Sequence, residues 1–164
     1  MPTSIYEETI CLRGLTTILS IFTAVFLSLI VYQSLIGPLG DRPAPNWFFL
    51  FMFLLFLIIT INFSTLSIKM TSRSVVVGYG IFNRTIFWEN IERCYSDEVS
   101  SIRYGGWGIR IGRVKGKWRL VYNVIGGPRV VLALKRGRFN EFVFSTRNPE
   151  EVMKVVRHMT GRME

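Results

Sequence analysis

The sequence predicts a membrane protein built as a transmembrane helical hairpin followed by a mainly-β domain that a C-terminal α-helix closes. Three observations carry this expectation. Two long stretches lack any charged side chain, the pattern then shifts to short alternating runs punctuated by glycine, and the charge is split between these parts. Of 164 residues, 49% are hydrophobic and only 19% charged, too apolar for an ordinary soluble chain of this length. The net charge of +9 divides into −1 before residue 69 and +10 from there on. The expected domains are a cytoplasmic N-terminal tail at 1–14, the hairpin at 15–68 and a basic cytoplasmic domain at 69–164.

The tail precedes an uncharged run from Leu15 to Ile36, LTTILSIFTAVFLSLIVYQSLI. At about 1.5 Å per residue such a helix spans a hydrocarbon layer of roughly 30 Å. The net-acidic leader and the lack of a small-x-small cleavage site argue against a signal peptide. Ser20, Ala24 and Ser28 repeat every four residues, a small-residue stripe that lets another helix approach closely. Its partner is either the second helix of the hairpin or another subunit. Pro38, Pro43 and Pro45 then mark a tight reversal. A second uncharged run follows from Trp47 to Ile68, crowded with Phe48, Phe49, Phe51, Phe53 and Phe56, its apolar part ending near Phe63.

The connection carries Arg42 offset by Asp41, whereas Lys69, Arg73 and Arg84 closely follow the second run. The excess of basic residues on the cytoplasmic side predicts a multi-pass cell-membrane protein with both termini cytoplasmic. Neither run contains Asp, Glu, Lys or Arg, which disfavours a transporter or proton channel.

Beyond the second run the alternation predicts an antiparallel meander with strands near 66–71, 74–79, 83–88, 91–99, 107–113, 118–124, 129–135 and 139–145. Gly80, Gly116, Gly137 and the Gly126-Gly127-Pro128 run supply turns. The final helix has Asn148 at its N-cap, Pro149 at the first helical position and Glu150 and Glu151 in its first turn. Val152, Val155, Val156 and Met159 form an apolar stripe that must lie against the sheet.

The run VVVGYGIFNRTIFWENIERC at 75–94 resembles the repeating core of bacterial pleckstrin-homology (PH)-like domains, with Gly80, Arg84, Ile86, Trp88 and Ile91 in the matching places. The runs RYGGWGIRIG, GGPRVVLAL, GRFNEFVFST and NPEEV extend the resemblance over roughly 65–160. It implies a PH-like barrel or sheet behind two transmembrane helices, as in small prokaryotic membrane proteins, and says little about function.

Arg113, Lys115, Lys117 and Arg119 form a basic hairpin around Gly116 and are the candidate lipid- or anion-binding residues. The Lys-x-Lys-x-Arg spelling is similar to the headgroup motif of eukaryotic PH domains, but it falls in a later hairpin, so an inositol-phosphate pocket does not carry over. A solvated edge that discourages strand pairing is the competing reading. A domain of this charge is drawn to anionic membrane lipids in any case. Nucleic acid is a poor fit, because strand alternation turns many of the aromatics near Arg103-Tyr104, Trp107, Arg110 and Trp118 inward.

Catalytic chemistry is thinly represented. Cys11 and Cys94 are too few and too distant for a disulfide scaffold or thiolate metal site, and His158 is the sole histidine. Cys94 reads as a strand core residue, and Cys11 lies where juxtamembrane thiols are acylated. Glu89, Glu92, Asp97 and Glu98 read as surface carboxylates without a convergent site. The Gly105-Gly106-Trp107-Gly108 run lacks the Lys-Ser/Thr of a phosphate loop. The expectation is a non-catalytic accessory, scaffolding or interaction protein, without metal or cofactor, that joins another membrane protein or self-associates. The alternative is an anionic-headgroup binder or sensor.

Overall fold

A computed structural model describes residues 4–99 and 106–161. The chain forms two compact units, one made of Leu12–Ser64 and the other of the N-terminal strand together with the chain from Thr65 onward.

The first unit is a pair of helices, α1 (Arg13–Leu35) and α2 (Asn46–Phe63), each long and apolar enough to cross a membrane. Helix α2 begins right after Pro45, whose ring fixes the extended backbone angle needed before a helix start. The Gln33 side-chain amide donates to the Ala44 carbonyl at 2.8 Å and to Asn46 Oδ1 at 2.7 Å, tying down the reversal. The helices meet along Leu19, Thr23 and Phe26 of α1, which are more covered than their neighbours. The Thr23 and Thr60 hydroxyls lie 3.5 Å apart, and the Phe56 ring stacks on Phe22 and Phe26 with centroids at 5.3 and 5.4 Å. Ser20, Ala24 and Ser28 are all exposed. The small-residue stripe is therefore not the surface on which the two helices pack.

Among the described residues, the second unit holds nine strands and an α-helix. Its first sheet has the order β1-β2-β3-β4, from Ser4–Cys11, Thr65–Thr71, Ser74–Tyr79 and Phe82–Phe87, all antiparallel. The segment expected to be a tail thus supplies β1, which pairs with β2 from Cys11↔Thr65 to Ser4↔Thr71. Tyr6 and Ile10 point into the core, and the intervening Glu8 is satisfied at a distance. Its carboxylate accepts from the Tyr6 hydroxyl (2.8 Å), the Thr146 hydroxyl (2.6 Å) and the Arg147 amide (2.7 Å). Gly78 is dictated by packing, since a Cβ there would fall 1.9 Å from the Asn83 side-chain oxygen on the facing strand.

A 3-10 turn at Trp88–Asn90 leads to the second sheet, made of β5 (Ile91–Ser96), β6 (Gly108–Val114), β7 (Lys117–Asn123), β8 (Arg129–Leu134) and β9 (Glu141–Ser145). Its order, β5-β8-β9-β7-β6, corrects the expected meander. The loop at 124–128 steps over the width of a strand, about 10 Å between the flanking chains, so β9 inserts between β7 and β8 and runs parallel to β7. All five β9 residues are buried, as a central strand requires. The two sheets remain open rather than closing as a barrel among the described residues.

Leu66, Ile68, Met70, Val75, Val77 and Tyr79 of the first sheet and Val130, Leu132, Phe142 and Phe144 of the second are almost wholly buried. The sheets join through aromatic contacts, with Tyr79 and Tyr122 centroids 5.8 Å apart and Tyr122 and Phe142 at 5.2 Å. The Tyr79 hydroxyl donates to the Asn123 carbonyl at 2.8 Å. Helix α3 (Pro149–Thr160) packs on β5, β8 and the 3-10 turn through the buried Val152 and Val156 and ends at Gly161 in the left-handed conformation. Asn148 holds the N-cap position, yet its side chain makes no capping bond. The Thr146 hydroxyl instead accepts its amide at 3.1 Å.

Candidate functional site

The β6–β7 hairpin turns on Lys115 and Gly116, with φ of 49° and 83°. Two successive positive φ values match the right-handed twist of the flanking strands, which is why glycine occupies one of the positions. This geometry divides the four basic residues of the hairpin. Lys117 and Arg119 share one face of β7, whereas Arg113 pairs with Trp118 and lies on the other. The Arg113 guanidinium stacks 5.7 Å from the Trp118 ring centroid, and its Nε donates to the Gly116 carbonyl at 3.3 Å. Arg119 is only 6% exposed. Of the four, Lys115 and Lys117 remain exposed beside it.

Arg119 belongs to a buried ionic network. Its Nε donates to Glu141 Oε2 at 2.5 Å, its Nη1 to Asp97 Oδ1 at 3.2 Å and its Nη2 to the Tyr95 hydroxyl at 3.3 Å. Arg129 Nε donates to Asp97 Oδ2 at 2.9 Å, and its Nη2 donates to the Val99 carbonyl. The Tyr95 hydroxyl closes the circuit by donating to Glu141 Oε1 at 2.8 Å. Two guanidiniums thus balance two carboxylates beside an apolar patch of Val114, Val121, Val131 and Val143, where an unpaired charge would be costly. Asp97, expected at the surface, has a side chain only 2% exposed. Desolvation, aided by the bond to Glu141, pushes Tyr95 up to about 12, so its hydroxyl keeps its proton at neutral pH.

Next to this network opens a cleft of about 850 Å³. Register explains its floor: Arg93, Ala133, Glu141 and Arg119 lie side by side across β5, β8, β9 and β7, and Ala133 leaves a depression between longer neighbours. Lys115 and Lys117 stand on the hairpin side, Arg93 on the β5 side, and Arg157 and Thr160 come from the last turns of α3. Glu141, the one carboxylate among these lining residues, is already engaged by Arg119, with Lys117 Nζ 3.5 Å away. Burial pushes the lining thiol of Cys94 up to about 12, which keeps it neutral rather than a nucleophilic thiolate. Four cationic side chains and one carboxylate therefore line the cleft.

Arg93 and Arg157 were not singled out by the sequence. The strand face gives Arg93 its direction once the irregularity between Ile91 and Arg93 in β5 is known, but a local pattern does not reveal such a shift. Trp118 is about half exposed, Trp107 and Cys94 are partly covered, and Glu89, Glu92, His158 and Cys11 are exposed. Arg103, Tyr104 and Gly105 lie outside the described residues. No group of three or more His, Cys, Asp or Glu side chains with metal-binding geometry occurs among the described residues. Comparison with family models, with curated proteins and with solved structures finds no match to this chain.

Proposed function

We propose that this chain is a non-catalytic, membrane-anchored accessory or interaction protein that presents a basic PH-like domain at the cytoplasmic surface. The observation that carries the reading is that α1 and α2 are inserted between β1 and β2, two strands that pair along their length. A strand and its hydrogen-bonded neighbour occupy the same side of a membrane, so helices inserted between them must cross it an even number of times. Lys69, Arg73 and Arg84 follow α2 closely, against Arg42 alone in the connection, which supports the cytoplasmic side for the sheets. The succession of short strands ended by one amphipathic helix supports the PH-like reading, and the parallel β7–β9 pair is this chain's own variation.

An accessory role is tested by releasing the full-length protein from its native membrane in mild detergent and measuring the mass of the intact complex. A defined stoichiometry with another membrane protein or a second copy is expected, and recovery as a lone chain overturns the role. Topology is read separately by introducing a cysteine at Asp41, with Cys11 replaced by serine. A membrane-impermeant thiol reagent added to sealed cells should label it, and labelling only after the cells are opened overturns the orientation. A second reading, an anionic-headgroup binder, is favoured by the basic cleft.

A further inference from the structure

We propose that the cleft between the β6–β7 hairpin and the end of α3 is a binding site for a phosphomonoester, held by Arg93, Lys115, Lys117 and Arg157. The inference sharpens the second reading and holds whether or not the chain acts within a larger complex. Four cationic side chains from three separate parts of the fold line one concavity, although they are scattered from residue 93 to residue 157 in the chain. Such convergence differs from a charged strand edge, where basic residues come from one strand and face bulk water.

The charge balance favours an anion. Inside the network, Arg119 and Arg129 offset Asp97 and Glu141, and Lys117 is the lining cation that also reaches Glu141, at 3.5 Å. Among the described residues, Arg93 and Lys115 take part in no salt bridge. Arginine and lysine divide the work in a way that suits phosphate. The planar guanidinium of Arg93 presents paired N–H donors that match two phosphate oxygens, Arg157 adds a second guanidinium from α3, and Lys115 acts as a mobile point charge at the mouth beside Lys117. A monoester carries up to two negative charges and three terminal oxygens, enough to engage several of these groups together. The cleft volume of about 850 Å³ also leaves space for the organic part of the ester.

Position is enforced from beneath. Arg119 locks Glu141, and the Tyr95 hydroxyl, protonated at neutral pH, donates to that same carboxylate. The floor is therefore a fixed, internally compensated surface rather than a free carboxylate that would repel the ligand. Ala133 provides the depth, because any longer side chain at that register position would fill the gap between Arg93 and Glu141.

A phosphomonoester arises either free in solution or as the headgroup of a lipid such as phosphatidic acid, and the test separates these sources. In the first arm, full-length protein in a neutral detergent is dialysed to equilibrium against labelled glycerol phosphate. In the second, it is purified from mixed micelles containing phosphatidic acid and, at matched charge, the diester phosphatidylglycerol, and the retained lipid is weighed. Arg93→Gln combined with Lys115→Gln should lower binding at least tenfold. Arg113→Gln, which removes charge from the opposite face of the same hairpin, should change it less than twofold, and melting curves confirm that each variant is folded. Saturable uptake of glycerol phosphate assigns a free ester, and selective retention of phosphatidic acid without it assigns a lipid headgroup. Either result with the stated variant pattern supports the site. Absence of saturable binding in both arms, or an equal loss in Arg113→Gln, overturns it. Labelling at position 41 is independent of these outcomes, so the anchoring reading stands or falls on its own.

Discussion

The two sheets of the β unit solve the burial problem in opposite ways. The first buries Leu66, Ile68, Met70, Val75, Val77 and Tyr79, side chains that are apolar or carry a single hydroxyl. The second buries Arg119, Asn123, Arg129 and Glu141 among its valines and phenylalanines. Apolar packing rewards any close fit, whereas a buried charge is tolerated only with its partners in place. The second sheet therefore needs one register, the register that brings Arg119 of β7 beside Glu141 of β9. The same register lines up Arg93 and Ala133 in the floor of the cleft.

The strongest way to break this comparison is to remove one charge from the network. Arg119→Met takes from Glu141 its buried guanidinium partner and from Asp97 one of two, and the expected loss is about 3–5 kcal/mol. Ile68→Val in the first sheet removes one methylene and should cost only about 1 kcal/mol. Urea unfolding of the full-length protein in detergent, followed by near-ultraviolet circular dichroism, measures both. Adding Glu141→Gln to Arg119→Met should recover part of the loss, because the orphaned charge is removed with its partner. If Arg119→Met costs no more than Ile68→Val, the network is not what fixes the register.

Glu8 supplies a smaller but comparable case in the first sheet. One carboxylate of β1 gathers a hydroxyl from Tyr6 and, from the segment leading into α3, the Thr146 hydroxyl and the Arg147 amide. Glu8→Ala should cost about 1–3 kcal/mol, since it leaves the Thr146 and Arg147 donors without that acceptor. The effect should be local. Hydrogen exchange should accelerate in β1 and at the start of α3 while the centre of the second sheet stays protected, and uniform acceleration would show that β1 has no separate anchor.

The sequence made the local half of this fold legible. The strand at 74–79 and its neighbours, the Gly116 turn and the Pro149 helix start could be read because each depends on residues close together in the chain. What escaped depends on distant partners. Strand β1 contains adjacent Glu7 and Glu8, which break a simple alternation, and its pairing partner lies beyond two helices. The parallel β7–β9 pair has no local signature, because a short loop that leaves a gap for a later strand reads like any hairpin loop. Alternation alone does not say that Arg119 is buried and Lys117 is not, although the two share one face of β7. A usable signal was present in Glu141, a carboxylate on the same strand face as Val143 in an apolar run, which calls for a buried cation.

Protons offer a gentler comparison within the same sheets. Burial raises Cys94 in β5 from its ordinary value near 9 to about 12, and desolvation also raises Tyr79 in β3. Between pH 9 and 12 the folded chain keeps the Cys94 proton while the unfolded chain releases it, so stability from this group is whole below pH 9 and drains as pH rises. Urea midpoints should hold steady up to about pH 9 and then fall. Cys94→Ala should flatten the first part of that fall, below the range where the tyrosines titrate. An unchanged slope would mean that the thiol is open to water in the folded chain, and alkylation would then reach Cys94 as readily as the exposed Cys11.

The smallest effect on folding should come from the small-residue stripe of α1. Ser20, Ala24 and Ser28 are exposed while Leu19, Thr23 and Phe26 meet α2, so Ser20→Leu with Ala24→Leu adds bulk where the paired helix is not. Thermal stability should shift by no more than about 0.5 kcal/mol, the range of surface substitutions. The mass of the complex in mild detergent should nevertheless fall, because close approach of a helix from another chain requires small side chains along that line. A complex of unaltered mass would remove the stripe from the interface and leave it facing lipid. A loss of stability of several kcal/mol would instead place the stripe against α2 and overturn the packing described for the pair.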